Sequence, residues 1–143
     1  MSREIIFRGK SEVTNEWVYG SLVKVGNESH IVGFDEVDLD GHHLSYCSDR
    51  PIFTKQRTIG QFTGLKDKNG IDIYEGDIVK APLLDPIFGD ILSDAFDNAP
   101  VAFHNGAFTV DYYRGRHKIY LQDLYDKIEV IGNIHDNKDL LED

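Results

Sequence analysis

Apolar and polar positions alternate along most of this chain in short runs broken by turn residues, which is the spacing of β-strands rather than of long helices. Residues 4–8 read as a short strand, and residues 9–15 as a polar turn. Glu16 to Val25 makes a second strand with apolar groups on both faces, so part of it is covered on two sides. Gly20 inside that run marks a bulge or a close backbone approach. Gly26-Asn27 is a turn signal, and Ser29 to Phe34 is the return strand. From Asp35 to Arg50 the chain is acidic and polar, with Asp40-Gly41 and the pair His42-His43, and reads as a loop or irregular hairpin. Pro51 to Thr54 and Arg57 to Phe62 are short extended pieces.

The densest turn chemistry lies between Gln61 and Lys80. Asp67-Lys68-Asn69-Gly70 predicts a hairpin turn, with Asn-Gly supplying the positive φ of a type I′ turn. Ile71, Ile73 and Tyr74 form the outgoing strand, Glu75-Gly76-Asp77 turns again, and Ile78-Val79-Lys80 enters the next strand. Two reversals within roughly a dozen residues predict strongly curved β-structure.

Pro82, Pro86 and Pro100 bound a run, Leu83 to Ala99, that is both apolar and acidic. Ile91, Leu92 and Ala95 share a face at helical spacing, so Gly89 to Phe96 is expected as a short helix. The run reads as a cap on an open barrel end in preference to an oligomer contact or lid. Val101–His104 and Ala107–Tyr113 flank Asn105-Gly106 as the clearest hairpin. Arg114-Gly115 turns into His117–Leu121, Gln122–Tyr125 is a helical turn, Lys127–Ile131 is a strand, Gly132-Asn133 is a turn, and Asn137 caps a last short helix through Leu141.

Composition sharpens this picture. The 143 residues suffice for one domain with a real core, and 13 glycines, seven tyrosines and eight phenylalanines favour strands and turns. The expected fold class is therefore mainly β, of curved barrel type, with one or two short helices. It forms a single domain over residues 1–143, in which any two sub-barrels meet near residue 60. The lone Cys47 leaves no intramolecular disulfide and reads as a small apolar residue. The first eight residues carry charges where a secretory signal needs an apolar run, and no run of about 18 apolar residues is present. The expectation is a cytoplasmic protein with no membrane partner. A net charge of −10, from 25 acidic and 15 basic residues, disfavours a nucleic-acid partner. A local exception is the aromatic and basic stretch Tyr112, Tyr113, Arg114, Arg116 and Tyr120, the candidate contact for single-stranded nucleic acid.

Five segments in order carry a family resemblance: Ile-Phe-Arg-Gly-Lys at 6–10, Glu-Trp-Val-Tyr-Gly-Ser-Leu at 16–22, Gly-Gln-Phe-Thr-Gly-Leu-Lys-Asp-Lys-Asn-Gly at 60–70, Ile-Tyr-Glu-Gly-Asp-Ile-Val-Lys at 73–80 and Glu-Val-Ile-Gly-Asn-Ile-His-Asp-Asn at 129–137. Together they resemble the YopX family of bacteriophage and prophage proteins. Residues 35–56 and 81–100 carry none of its motifs. The resemblance implies a mainly β, barrel-like fold prone to self-association, of phage or prophage origin and with no catalytic activity attached. It implies fold-determining roles for Thr63, Gly64, Asp67, Asn69, Gly70, Tyr74, Glu75, Gly76, Asp77, Gly132 and Asn133.

Other chemistries fit less well. Asp67, Asn69, Asp72 and Glu75 crowd together like a calcium loop, but placing Gly70 at the invariant glycine puts Leu65 and Gly76 at ligand positions. His30, His42, His43, His104, His117 and His135 lack metal-ligand spacing. Glu75 and Asp77 are a weak carboxylate pair, and no nucleophile elbow, P-loop or dinucleotide fingerprint is present. The sequence therefore predicts a non-catalytic accessory protein without cofactor or metal, a homo-oligomer that binds a host or phage protein. The alternative is a nucleic-acid factor using the 112–120 hairpin, and the third a small hydrolase.

Overall fold

Frequent turn residues break the chain into extended segments of 3 to 14 residues, most of which pair with a neighbour in sequence. The computed structural model describes residues 4–39, 42–47 and 51–142. Among these lie eleven strands: β1 (Phe7–Lys10), β2 (Trp17–Val25), β3 (Glu28–Leu39), β4 (His42–Cys47), β5 (Gly60–Lys66), β6 (Asp72–Tyr74), β7 (Asp77–Leu84), β8 (Ile91–His104), β9 (Ala107–Tyr112), β10 (His117–Tyr120) and β11 (Glu129–Asn133). The helical pieces among the described residues are 3₁₀ turns of three or four residues. The fold is mainly β, as expected. The chain divides into two compact units, Met1–Phe62 and Thr63–Asp143, and β5 begins in the first and ends in the second.

In the first unit the strands run β4-β3-β2-β1-β5, all antiparallel. Gly20 opposes Gly33, and a Cβ on Gly20 would sit 2.1 Å from the Val32 carbonyl oxygen, the close approach that its place in the strand predicted. β3 continues past Phe34 and pairs with β4 from Phe34↔Cys47 to Leu39↔His42. The segment expected as a loop or irregular hairpin is thus a hairpin whose strands satisfy each other's backbone; its Asp40-Gly41 turn signal lies outside the described residues. The centre of this unit is small and polar. Thr54 Oγ1 accepts the Ile31 N–H at 3.2 Å and donates to the Ile52 carbonyl at 2.6 Å, while the Thr54 N–H donates to His30 Nδ1 at 3.1 Å. Ile31, His30 and Thr54 are all buried.

In the second unit β5 leads through a tight turn into β6, and a five-stranded antiparallel sheet runs β10-β9-β8-β7-β11. The register pairs Val79 with Ala99 and Val101 with Val110, so alternate residues of β7, β8 and β9 share one buried face. Ile73, Tyr112, Leu121, Leu124 and Ile128 complete that core. Fully burying each large member is worth about 1.5–3 kcal/mol. The 3₁₀ turns Leu121–Asp123 and Tyr125–Lys127 bring Leu121 and Leu124 onto it.

The helix expected over Gly89–Phe96 is absent. Residues from Ile91 onward are strand β8, with Phe96 opposite Pro82 and Ile91 opposite Leu84. Pairing with β7 at Ile91 and from Phe96 onward, across an irregularity between them, overrides the helical spacing of Ile91, Leu92 and Ala95. The run therefore forms the outer part of a β7–β8 hairpin. Its tip side chains Ile87 and Phe88 are 81% and 77% exposed, the opposite of a segment that covers an apolar opening.

Candidate functional site

Three turns of the second unit are shaped by polar side chains from the conspicuous motifs. The Asp67 carboxylate accepts the N–H groups of Asn69 at 2.8 Å and Ile71 at 3.0 Å through Oδ1, and that of Val130 at 2.9 Å through Oδ2. The turn itself is closed by Gly70 N–H to Asp67 O and Asp67 N–H to Ile71 O. Gly70 has φ of +81° whereas Asn69 stays at negative φ, so the turn is a three-residue loop ending on a left-handed glycine and not the type I′ turn expected. Asp77 Oδ2 accepts the Tyr74 N–H at 2.7 Å, and Thr63 Oγ1 donates to the Ile73 carbonyl at 2.7 Å. Gly64 and Gly76 also hold positive φ, and the Gly76 N–H reaches the Val101 carbonyl. Beside them Asn133 Oδ1 accepts from His135 and Asp136, and Asn133 and Gly132 pair with Asp77 and Ile78 across a bulge. Glu75 occupies the turn between β6 and β7. Asn137 does not cap the last 3₁₀ turn; its Oδ1 instead accepts the Asn133 N–H at 3.2 Å.

A cleft of about 600 Å³ opens elsewhere on the same unit, lined by Asp97, Asn98 and Pro100 of β8, Asp111 of β9, Tyr113–Arg116, and Leu141. Its wall is an unusual backbone. Tyr113, Arg114 and Gly115 take φ of +52°, +58° and +86° in succession. Left-handed geometry at two adjacent non-glycine residues is costly, about 1–2 kcal/mol each. It is held by the Tyr113 N–H donating to Asp97 Oδ2 at 3.1 Å and the Arg116 N–H donating to the Tyr113 carbonyl. Asn98 Nδ2 donates to the Leu140 carbonyl at 3.0 Å and fixes the C-terminal turn beside the cleft.

On the cleft floor Asp111 is buried and multiply bonded. Oδ1 accepts from Thr109 Oγ1 at 2.7 Å, while Oδ2 lies 3.0 Å from His104 Nε2 and 3.3 Å from Lys118 Nζ. Burial pushes this carboxyl upward, but its bonds to Thr109, His104 and Lys118 outweigh that and hold it below the ordinary carboxylate value.

A family model described as YopX protein matches residues 6–142, almost the whole chain. The chain belongs to the YopX family. Its fold is also similar to the crystal structure of protein EF1440 from Enterococcus faecalis, at 26% identity and a TM-score of 0.60, over 99% of this chain and 100% of that one. No curated protein matches the chain.

In this YopX chain the five aromatic and basic candidates are not all at the surface. Tyr113 and Tyr120 are 50% and 56% exposed, and Arg114 and Arg116 are exposed. Tyr112 is withdrawn from that set, because its ring is buried and its hydroxyl donates to the Pro82 carbonyl at 2.9 Å. Burial first, then nearby Asp97 and Tyr113, pushes its phenol up to about 12. Strand alternation explains the split: Tyr112 shares the face of Val110, and the left-handed turn then throws the next residues outward.

Asp97, Asn98 and Asp111 were missed by sequence reasoning. They lie on strands whose register across β8 and β9 cannot be read from local spacing. Asp72 pairs with Lys66 at 2.6 Å rather than joining Asp67. Among the described residues no group of three or more His, Cys, Asp or Glu side chains is placed to hold a metal ion, and no helix is long and apolar enough to cross a membrane. A carboxylate held down like Asp111 is a weak proton acceptor near neutral pH, so this floor positions charge better than it moves protons.

Proposed function

We propose that this YopX protein is a non-catalytic accessory module of phage or prophage origin, working in the host cytoplasm by associating with itself and with another macromolecule. The observation that supports this reading is the tip of the β7–β8 hairpin. Ile87 and Phe88 are almost fully exposed there, and Ile91 and Phe96 of the following strand are 40% and 43% exposed.

The tip is preorganised. Asp85 Oδ1 accepts the N–H groups of Ile87 at 2.8 Å and Phe88 at 2.9 Å. The Asp85 N–H donates to the Asp90 carbonyl, and the Gly89 N–H donates to the Asp85 carbonyl. Large apolar side chains displayed on a fixed turn lose little further conformational entropy on docking. Two adjacent large apolar groups held together on one exposed tip suit a contact surface. The partner assigned to the tip is a second copy of the chain, in line with the self-association expected of the family.

Sedimentation velocity on the wild-type chain and on Ile87→Ser/Phe88→Ser tests this. The expected result is an oligomer for the wild type and a monomer for the variant, with the same circular dichroism. A wild type that sediments as a monomer at about 100 µM, where even a weak micromolar complex would form, rejects self-association.

A further inference from the structure

We propose that the cleft of the second unit binds a nucleotide unit, with its phosphate on Arg114 and Arg116 and its base against the ring of Tyr113. The cleft volume of about 600 Å³ is the size of a small-ligand site. Three of its lining residues are of the types a nucleotide needs: two exposed arginines and a half-exposed tyrosine, close together along one turn. Arginine pairs with phosphate oxygens through its planar fork, and an aromatic face accepts any base by stacking.

The left-handed backbone from Tyr113 to Gly115 gives these groups their common site. Ordinary β geometry would send alternate residues to opposite faces of the sheet, whereas here Tyr113, Arg114 and Arg116 all line one cleft. Adjacent non-glycine residues in this conformation persist where the surrounding structure enforces them, as the Asp97 bond to the Tyr113 N–H does.

Two carboxylates also line the cleft, and both are engaged by the protein. Asp97 accepts the Tyr113 N–H, and Asp111 is met by Thr109, His104 and Lys118. They form the floor and the anchor of the arginine-bearing turn. The net charge of −10 opposes a long polyanion, but a single phosphate feels mainly the charges within about 10 Å. One nucleotide unit is thus the ligand that suits both the local pair of arginines and the acidic whole.

This inference is independent of the hairpin tip, and either can fail without the other. Calorimetry with thymidine monophosphate, thymidine and a thymidine decanucleotide tests it. Thymidine monophosphate is expected to bind, and thymidine about tenfold or more weaker. Arg114→Gln/Arg116→Gln is expected to lower affinity for the monophosphate about tenfold, while a charge-matched Lys24→Gln/Lys68→Gln control leaves it unchanged. A decanucleotide that binds much more tightly than the monophosphate identifies the unit as part of a single strand; equal affinity identifies a free nucleotide. Equal binding of thymidine and its monophosphate, no loss in the arginine variant, or equal competition by a polyglutamate peptide would overturn the proposal. If the arginine variant does not fold, a salt series on the wild type decides: affinity for the monophosphate must fall as salt rises, and a flat response counts against phosphate capture.

Discussion

Asp67 Oδ2 accepts the Val130 N–H at 2.9 Å across 63 positions of sequence. The same carboxylate closes its own hairpin through Oδ1, so one side chain fixes a turn and ties it to β11. The contact continues next door, where the Lys68 N–H donates to the Ile128 carbonyl. A local turn residue thereby becomes a long-range tether between the two ends of the second unit's sequence.

Asp67→Ala removes a buried acceptor from three backbone donors. The expected loss is about 3 kcal/mol of unfolding free energy, because N–H groups left without a partner keep their desolvation cost. Asp67→Asn, which retains one acceptor oxygen, should lose less. Urea unfolding followed by circular dichroism measures both. A midpoint for Asp67→Ala equal to the wild type's would show that the tether carries no stability.

This residue also shows how far the sequence could be read. Turn chemistry at 67–70 and 75–77 is local, so the reversals and the mainly β class were visible in the residue pattern. The partner of Asp67 was not, because it depends on the register of β11 against β7 and on the bulge between Val130 and Gly132. The same limit hid the cleft. Tyr113, Arg114 and Arg116 stood out as a cluster, but Asp97 and Asp111 join them only through the pairing of β8 with β9. At Gly89–Phe96 the local signal pointed to a helix, and pairing with β7 prevailed.

The Asp111 network predicts a pH dependence with a definite sign. Its carboxyl titrates below the ordinary 3.8 in the folded chain, with burial opposing and the bonds to Thr109, His104 and Lys118 prevailing. A group depressed in this way contributes stability that is fully present above 3.8 and is lost as pH falls through the lower folded value. Thermal unfolding between pH 5 and pH 2.5, or about that range, should therefore show a falling midpoint, and Asp111→Asn should flatten part of the slope. An identical slope in Asp111→Asn would remove Asp111 as a source.

Thr54 predicts a loss confined to a hydroxyl. Its Oγ1 accepts from Ile31 and donates to Ile52, and the residue is fully buried. Thr54→Val keeps the shape and leaves the Ile31 N–H and Ile52 carbonyl without that partner, at a cost of about 2 kcal/mol. Amide hydrogen exchange at Ile31 should quicken by at least tenfold, roughly the factor 1.4 kcal/mol gives. Unchanged protection at Ile31 would mean that the bond contributes nothing.

Arg114 separates stability from binding. Its φ of +58° and ψ of +38° place a side chain in the left-handed region, where glycine pays no steric penalty. Arg114→Gly relieves that strain but raises the entropy of the unfolded chain, and the balance favours the variant by about 0.5 kcal/mol. The same substitution deletes one of the two guanidinium groups in the cleft, so the variant should gain slightly in melting temperature while losing affinity for thymidine monophosphate. Arg116→Gly, at a residue with negative φ, removes the equivalent charge with no strain to relieve and should lose both stability and affinity. Opposite signs of the stability change in the two variants, with the same sign in binding, are the signature of a turn strained to hold its arginines at the cleft. Equal stability losses in both would show that the left-handed backbone stores no strain.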